Sequence, residues 1–243
     1  MSAAVTTDKF LNGRVTVRQS ADGFRSGLDA VMLAAAVPAR DGEDVLELGS
    51  GAGAAGLCLA SRTGCAVFGI EIDPALAALA DENAAENNMQ DRVRFTAADA
   101  LDVPPDLRRA FDHVMCNPPF HGEDGHVSPD AGRARALQDR GSLGSWLTNG
   151  MKRVVSHGTF TAILRADRLG EALAALGEQG VSIFPLWPRA GEPAKRVIVQ
   201  VIKASRAPQA LLPGLVLHES DGRYTRAANA ILRDGAALTL QRA

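Results

Sequence analysis

The tetrapeptide Asn117-Pro118-Pro119-Phe120 contains groups that could hold a planar amine. An Asn side-chain carbonyl and a proline main-chain carbonyl can both accept hydrogen bonds from one NH2 group, and an aromatic ring offers a face on which a base or an amide stacks. An amine held in this way can attack an electrophile. The alternative interpretation is a simple turn, because Asn-Pro is a common turn signal.

A glycine-rich turn, Glu47-Leu48-Gly49-Ser50-Gly51-Ala52-Gly53, follows a short apolar run. Glycines allow a sharp turn and let a ligand approach closer than a Cβ would permit. No Lys follows, as a phosphate-binding loop would require, and the spacing is not the GxGxxG of a dinucleotide site. The turn therefore predicts a site for a nucleoside or an amino-acid group.

Two acids follow the next two apolar runs. Glu71 lies about twenty residues after the turn, where a carboxylate can accept hydrogen bonds from both ribose hydroxyls. Asp99 follows the third run and could accept a hydrogen bond from an adenine amino group. Asp73 precedes Pro74 and is expected to cap a helix. Taken alone, an acid at such a position is more often a cap or a solvated residue.

Apolar runs typical of strands alternate with helical stretches, which predicts an α/β fold with helices on both faces of a mostly parallel sheet. The predicted strands are seven, at 45–48, 66–70, 93–96, 111–116, 158–164, 181–187 and 197–202, with a later apolar piece at 215–217. The predicted helices are 54–62, 74–88, 142–155, 168–179 and 225–233. Because parallel strands share a crevice at their carboxyl ends, the turn, the two acids and the Asn-Pro-Pro-Phe tetrapeptide are expected to meet there.

This series of strand ends resembles the class I S-adenosylmethionine-dependent methyltransferases, which have a Rossmann-like fold. The tetrapeptide resembles the signature of members that methylate exocyclic or amide nitrogens. The resemblance spans roughly residues 20–205 and implies S-adenosylmethionine as cofactor. It implies that Asn117, Pro118, Pro119 and Phe120 are catalytic. The cofactor-binding residues that it implies are Arg25, Gly27, Asp29, Glu47, Gly49, Gly51, Gly53, Glu71, Asp99 and Asn117.

Two further segments are similar to a bacterial family that methylates adenine N6 in the anticodon region of tRNA1(Val). They are the Gly-Leu-Asp stretch at 27–29 before an apolar helix and the stretch 215–225, which contains Tyr224, the single tyrosine. This family often has Tyr where the chain has Phe120, which retains stacking and loses a hydroxyl. Two alternatives stay open: N-methylation of a protein glutamine or a small-molecule amine, and a non-catalytic protein that binds RNA or a partner.

Charge is distributed unevenly. Residues 1–130 carry 10 Lys and Arg against 20 Asp and Glu, a net charge of −10, whereas residues 131–243 carry 16 against 8, a net charge of +8. A polyanion such as tRNA would prefer the second part, although these cations could equally be a solvated surface. The candidate phosphate contacts are Arg133, Arg135, Arg140, Lys195 and Arg196. The histidines at 121 and 126 lie in a Gly-rich stretch that favours a mobile loop over a metal site.

The composition suits one globular domain of 243 residues with 46% apolar and 22% charged residues. We expect an N-terminal segment at 1–43, a catalytic core at 44–205 and a C-terminal extension at 206–243. The three cysteines show no ligand spacing and are expected to be buried, and Trp146 and Trp187 are expected in the core. Without a membrane span or a signal segment, a cytoplasmic location is predicted. The sequence does not indicate the oligomeric state.

Overall fold

The computed structural model describes residues 5–21, 25–119, 142–177 and 180–240. The strands are β1 Val5–Phe10, β2 Val15–Ser20, β3 Asp44–Leu48, β4 Ala66–Glu71, β5 Val93–Ala97, β6 Phe111–Cys116, β7 Val154–Arg165, β8 Val181–Trp187, β9 Arg196–Ile202, β10 Ala210–Leu211 and β11 Leu215–Val216. The α-helices are α1 Leu28–Ala36, α2 Ala54–Thr63, α3 Pro74–Glu86, α4 Leu143–Lys152, α5 Leu169–Leu176 and α6 Arg226–Leu232. Three-residue 3-10 helices lie at Leu11–Gly13, Pro105–Leu107 and Ala166–Arg168.

The main sheet has the strand order β10-β8-β9-β7-β6-β3-β4-β5, and β11 also pairs with β8. Strands β3 to β7 pair in parallel, while β9 is antiparallel to both of its neighbours. The seven predicted strands are confirmed as the body of a mostly parallel sheet. The two-residue strands β10 and β11 extend it at the β8 edge.

Helices cover both faces of this sheet, and two hydrophobic clusters fill the space between them. One cluster contains Val45 of β3 with residues of α1 and α2, and the other contains Leu46 and Leu48 with Leu147 of α4. Neighbouring side chains of a strand point to opposite faces, so β3 is buried on both sides. This explains why the central strands are short, nearly continuous apolar runs in the sequence.

A β1–β2 hairpin precedes the sheet and was not predicted from the sequence. Its outer strand alternates exposed and half-buried residues, so it lacks a strong apolar signal. Asn83 of α3 holds it in place. The Asn83 side chain accepts a hydrogen bond from Arg18 N and donates to Arg18 O and Ala52 O, each at 2.9 Å. The hairpin is therefore tied through α3 to the glycine-rich turn.

Several predicted boundaries were wrong by a few residues. Strand β7 begins at Val154, directly after α4 ends, and not at residue 158, because its first residues pair with the start of β6 before a register shift. Helix α3 ends at Glu86, where Asn87 forms the cap. Helix α5 ends at Leu176, followed by Gly177 with a φ of +69°.

The C-terminal residues pack against α1 on one face of the sheet. Ala228 and Ile231 of α6 are buried in the same cluster as α1, and Leu238 N donates to Ala35 O at 2.8 Å. The His218 and Tyr224 rings stack with centroids 4.8 Å apart. No helix in the described ranges has the length and apolar character needed to cross a bilayer.

Candidate active site

The strand register brings the predicted site residues to one edge of the sheet. Leu48, the last residue of β3, is the Cα partner of both Ile70 and Cys116, and Glu71 is the partner of Ala97. Gly49 and Asn117 therefore leave the sheet side by side. The chain turns from β3 towards β4 on one side, while β6 lies on the other. This is a topological switch point, where open α/β sheets bind ligands.

The glycine-rich turn adopts a conformation that favours glycine. Gly49, Gly51 and Gly53 have φ values of +71°, +55° and +84°. The amides of Gly49 and Ser50 both donate to Ile70 O, at 2.8 and 3.0 Å. A Cβ on Gly53 would lie 2.6 Å from Phe95 Cζ, which is closer than side-chain carbons approach. The missing Cβ at Gly53 thus lets Phe95 pack closely against the turn.

Glu71 is held by backbone amides. Its Oε2 accepts from Gly51 N at 2.8 Å and its Oε1 accepts from Asp73 N at 3.0 Å, and the residue is only 9% exposed. Each carboxylate oxygen can accept a further hydrogen bond, so the two ribose hydroxyls could be bound together. Asp73 accepts from Ala75 N at 2.8 Å, which confirms its prediction as the cap of α3.

The loop after β5 carries the second acid. Asp99 Oδ1 accepts from Leu101 N at 2.8 Å, which fixes the side chain at the start of the loop. Asn149 of α4 donates to the carbonyl of Ala100 and so attaches the helix to the same loop. Asp99 lies one strand end beyond Glu71, in the order expected for ribose followed by adenine.

The side-chain oxygen of Asn117, Oδ1, is an acceptor that has no hydrogen-bond partner among the described residues. This atom is buried. A buried unpartnered acceptor costs about 1–3 kcal/mol, and such atoms are uncommon in native proteins. Pro118 is buried and Pro119 is exposed, so the strand end is fixed where it meets the crevice. Phe120 lies outside the described residues.

Glu47 lies beneath the glycine-rich turn and is 3% exposed. Burial raises the pKa of Glu47 to about 8, an effect that the Gly56 amide of α2 opposes and the charge of Glu71 reinforces. A Cβ on Gly56 would lie 2.7 Å from Glu47 Oε2, so the carboxyl is packed directly against α2. Its role in cofactor binding stays a prediction.

The three predicted cofactor residues near α1 have partners within the protein. Arg25 forms an ion pair with Asp8 at 2.8 Å, and Gly27 is the residue before the first turn of α1. Asp29 forms an ion pair with Arg196 at 2.8 Å, which joins α1 to the start of β9.

The predicted RNA contacts are only partly within the described residues. Lys195 is exposed and Arg196 is half-buried at the crevice end of β9, two strands from β6. Arg133, Arg135 and Arg140 lie outside the described residues, as does the loop with the two histidines. Among the described residues, no group of three or more His, Cys, Asp or Glu is arranged to hold a metal ion.

Trp146 is a site residue that sequence reasoning missed. The expectation of two core tryptophans was wrong in detail, because both are only partly buried. A Cβ on Gly49 would lie 2.9 Å from Trp146 Cη2, so the indole packs directly on the turn. A signal was available: Trp146 lies in the first turn of a helix that returns antiparallel to β6, and that turn must lie near the carboxyl ends of the strands.

The residues present fit S-adenosylmethionine. Gly51 leaves open space beside the turn, Glu71 has free acceptor capacity for a ribose, and the unpartnered Asn117 Oδ1 lies beside the turn. These features correspond to the methionine, ribose and methyl-acceptor ends of the crevice. Asp99 supplies an acceptor at the remaining end, where the adenine is expected.

Comparisons with known proteins agree with this geometry. The family model of the methyltransferase small domain matches residues 22–143. The tRNA1(Val) (adenine(37)-N6)-methyltransferase of Shewanella amazonensis is 30% identical over 224 residues, which cover 88% of this chain and 94% of that protein. The enzyme of the same name from Haemophilus influenzae strain 86-028NP is 25% identical over 221 residues, which cover 90% and 94%.

A solved structure shares the fold over nearly the whole chain. It is a protein from Agrobacterium tumefaciens described as a predicted O-methyltransferase. It has a TM-score of 0.73 and 27% identity, and the match covers 86% of this chain and 98% of that one. The predictions of the fold, of the enzyme class and of the cofactor are confirmed. The chain belongs to the methyltransferase small domain family and is an S-adenosylmethionine-dependent methyltransferase.

Proposed function

We propose that this enzyme methylates N6 of an adenine in the anticodon region of a tRNA. The observation that carries the proposal is the buried, unpartnered Oδ1 of Asn117 beside the glycine-rich turn. The NH2 group of an exocyclic amine can donate to such an acceptor. The two relatives named above, both tRNA adenine-N6 methyltransferases by name, match along most of the chain and support the same substrate class.

Asn117 is proposed to act by holding the amine. The lone pair of an adenine amino group is delocalised into the ring, which makes the nitrogen a weak nucleophile. If Asn117 Oδ1 and the Pro118 carbonyl each accept one of its hydrogens, the nitrogen can become pyramidal and direct its lone pair at the methyl carbon. These hydrogen bonds strengthen as positive charge develops on the nitrogen, so they favour the transition state over the ground state.

The bound cofactor supplies a methyl group that its sulfonium has already activated. The protein therefore contributes alignment more than acid–base chemistry. The strand ends that hold Gly49 and Asn117 are fixed neighbours in the sheet, so the amine and the methyl carbon can be brought into line. The target adenosine must be unpaired or flipped out of its stack to reach this position, and Phe120 is proposed to stack on it.

The substitution Asn117→Ala tests the proposal. We expect turnover to fall by about a hundredfold or more, because an acceptor that acts mainly in the transition state is lost. The cofactor dissociation constant should change little. Purified protein is incubated with labelled S-adenosylmethionine and with total tRNA from cells that lack the activity, and the digested nucleosides are then identified. N6-methyladenosine should appear with the parent protein and be lost with the variant.

A matched control is Asn229→Ala, which removes an exposed Asn side chain on α6 that donates only to Tyr224 O. It should methylate like the parent. Unchanged turnover of Asn117→Ala would contradict the assigned role. Label on a protein glutamine or a small-molecule amine, with none on tRNA, would replace the proposed substrate by the alternative acceptor. Cofactor binding without transfer to any acceptor would favour a non-catalytic protein.

A further inference from the structure

Three of the eight buried side-chain polar atoms that lack a hydrogen-bond partner among the described residues belong to residues at the cofactor crevice. Ser50 Oγ, Asn117 Oδ1 and Trp146 Nε1 are all buried and lack a hydrogen-bond partner within the described ranges. Unsatisfied buried groups are few in native proteins, and a cluster of them points to a site that is completed by a ligand. Asn117 already has a proposed partner in the methyl acceptor. The indole N–H of Trp146 has none.

Helix α4 lies along the crevice at two points. The Trp146 ring packs on Gly49, in the turn assigned to the methionine end of the cofactor. Three residues later, Asn149 donates to Ala100 O, next to the acid assigned to the adenine end. One helix thus contacts both ends of the cofactor site, so its first two turns form a wall of that site.

The polar side chains already assigned to the crevice offer mostly acceptor oxygens. Glu71, Asp99 and Asn117 present acceptor oxygens towards it, while the Arg25 guanidinium is held by Asp8. S-adenosylmethionine carries acceptors of its own in its carboxylate, its ribose oxygens and its adenine ring nitrogens. An indole N–H is a donor only, so it complements these atoms. No acceptor in the described part of the chain satisfies the N–H of Trp146.

We propose that the indole N–H of Trp146 donates a hydrogen bond to an acceptor atom of bound S-adenosylmethionine. Trp146 is then a cofactor-binding residue on α4, on the opposite side of the turn from Glu71. The aromatic ring fixes the turn by packing on Gly49, and the N–H contacts the ligand. This inference does not depend on the identity of the methyl acceptor.

Indole resonances test the proposal directly, because the chain has two tryptophans. Protein labelled with 15N-tryptophan gives two indole N–H signals, and Trp187→Phe identifies which belongs to Trp146. The Trp187 N–H already donates to Pro213 O at 3.2 Å and serves as an internal reference. Addition of S-adenosylhomocysteine is expected to move the Trp146 signal downfield and to leave the Trp187 signal in place.

Affinity gives an independent measurement. Trp146→Phe keeps an aromatic side chain on α4 and removes the N–H, so S-adenosylhomocysteine should bind about three- to tenfold more weakly by calorimetry. Trp187→Phe is the matched control and should bind like the parent. A Trp146 signal that stays in place, together with unchanged affinity of Trp146→Phe, would overturn the proposal.

A signal that moves only after RNA is added would overturn it as well, and would assign the donor to the methyl acceptor. The resonance is measured in unaltered Trp146 protein, so the result does not depend on how Trp146→Phe folds. Neither readout uses methyl transfer, so failure here is distinguishable from failure of the proposed tRNA activity.

Discussion

Glu47 and Glu71 lie near the carboxyl ends of neighbouring strands, yet their carboxyls have different surroundings. Both oxygens of Glu71 accept backbone amides and face the crevice. Glu47 is packed against α2, and burial raises its pKa to about 8. Glu71 is therefore suited to bind a ligand, whereas Glu47 is a buried acid that holds its proton near neutral pH.

This difference predicts how stability depends on pH. Folded protein keeps a proton on Glu47 up to about pH 8, whereas the unfolded chain releases it near 4.5. The folded state binds more protons in this window, so the free energy of unfolding falls as pH rises from about 4.5 to about 8, on the order of a few kcal/mol. Glu47→Gln should remove this part of the fall, so that its Tm exceeds that of the parent by more at pH 8 than at pH 5.

Thermal melts of both proteins across this pH range measure the effect. Glu86→Gln is a suitable control, because Glu86 is an exposed partner of Arg18 and should leave the slope as it is in the parent. Parallel curves for the parent and Glu47→Gln would show that Glu47 ionises normally in the folded state.

At the scale of elements, strands with apolar runs were predicted from the sequence, whereas strands of mixed polarity were not. Strands β3, β4 and β6 are mostly buried and β5 buries Val93 and Phe95. Their apolar residues therefore predicted these strands and placed Gly49, Glu71, Asp99 and Asn117 at one edge. The β1–β2 hairpin contains both polar and apolar residues. It is held in place by the side chains of Asn83 and Asn87, which lie far along the chain in α3 and its cap. Its position against α3 is fixed by tertiary hydrogen bonds, which a local pattern cannot reveal.

Asn83 is expected to matter more than an ordinary helix residue. Asn83→Ala removes three hydrogen bonds and leaves the amide and carbonyl of Arg18 and the carbonyl of Ala52 without their partner. The free energy of unfolding should fall by about 2–4 kcal/mol. Cofactor affinity should also fall, since Ala52 belongs to the glycine-rich turn. Urea unfolding and calorimetry measure the two effects.

Asn229→Ala again provides the comparison, because it removes one exposed hydrogen bond and should cost little stability. If Asn83→Ala and Asn229→Ala unfolded at the same urea concentration, the hairpin would not depend on Asn83.

At the scale of the whole molecule, several cations of residues 131–243 are paired with acids. Arg165, Arg168, Arg189 and Arg196 each lie within an ion pair with a nearby acid, so their positive charge is partly offset. Lys195 is exposed at the crevice end of β9 and forms no ion pair with a described residue. It is the described cation best placed to meet a phosphate.

Lys195→Ala should weaken binding to a similar degree for tRNAs of any sequence. It should also reduce the slope of the logarithm of the binding constant against the logarithm of the salt concentration by about one. Binding titrations between roughly 50 and 200 mM salt give this slope. Lys9→Ala is the control, because Lys9 is exposed on β1 in the acidic part of the chain. An equal loss of slope in both variants would assign the effect to net charge and not to a contact at Lys195.

Contacts between residues of distant elements could not be predicted from the sequence. The order of the strand ends was predicted, because a parallel sheet aligns them. The ion pairs of Arg25 and Asp29 and the packing of Trp146 on Gly49 were not, because each depends on the relative placement of two elements. The division into an N-terminal segment, a core and an extension remains a prediction.

The Asn83 contacts also have a consequence for the order of events during synthesis. The β1–β2 hairpin is made before α3, but Thr16 and Arg18 are hydrogen-bonded to residues 65 to 71 positions later. These two strands cannot reach their final position until α3 has left the ribosome. Until then the hairpin of the nascent chain lacks its hydrogen-bond partners on α3. It can take its final position only once α3 is complete.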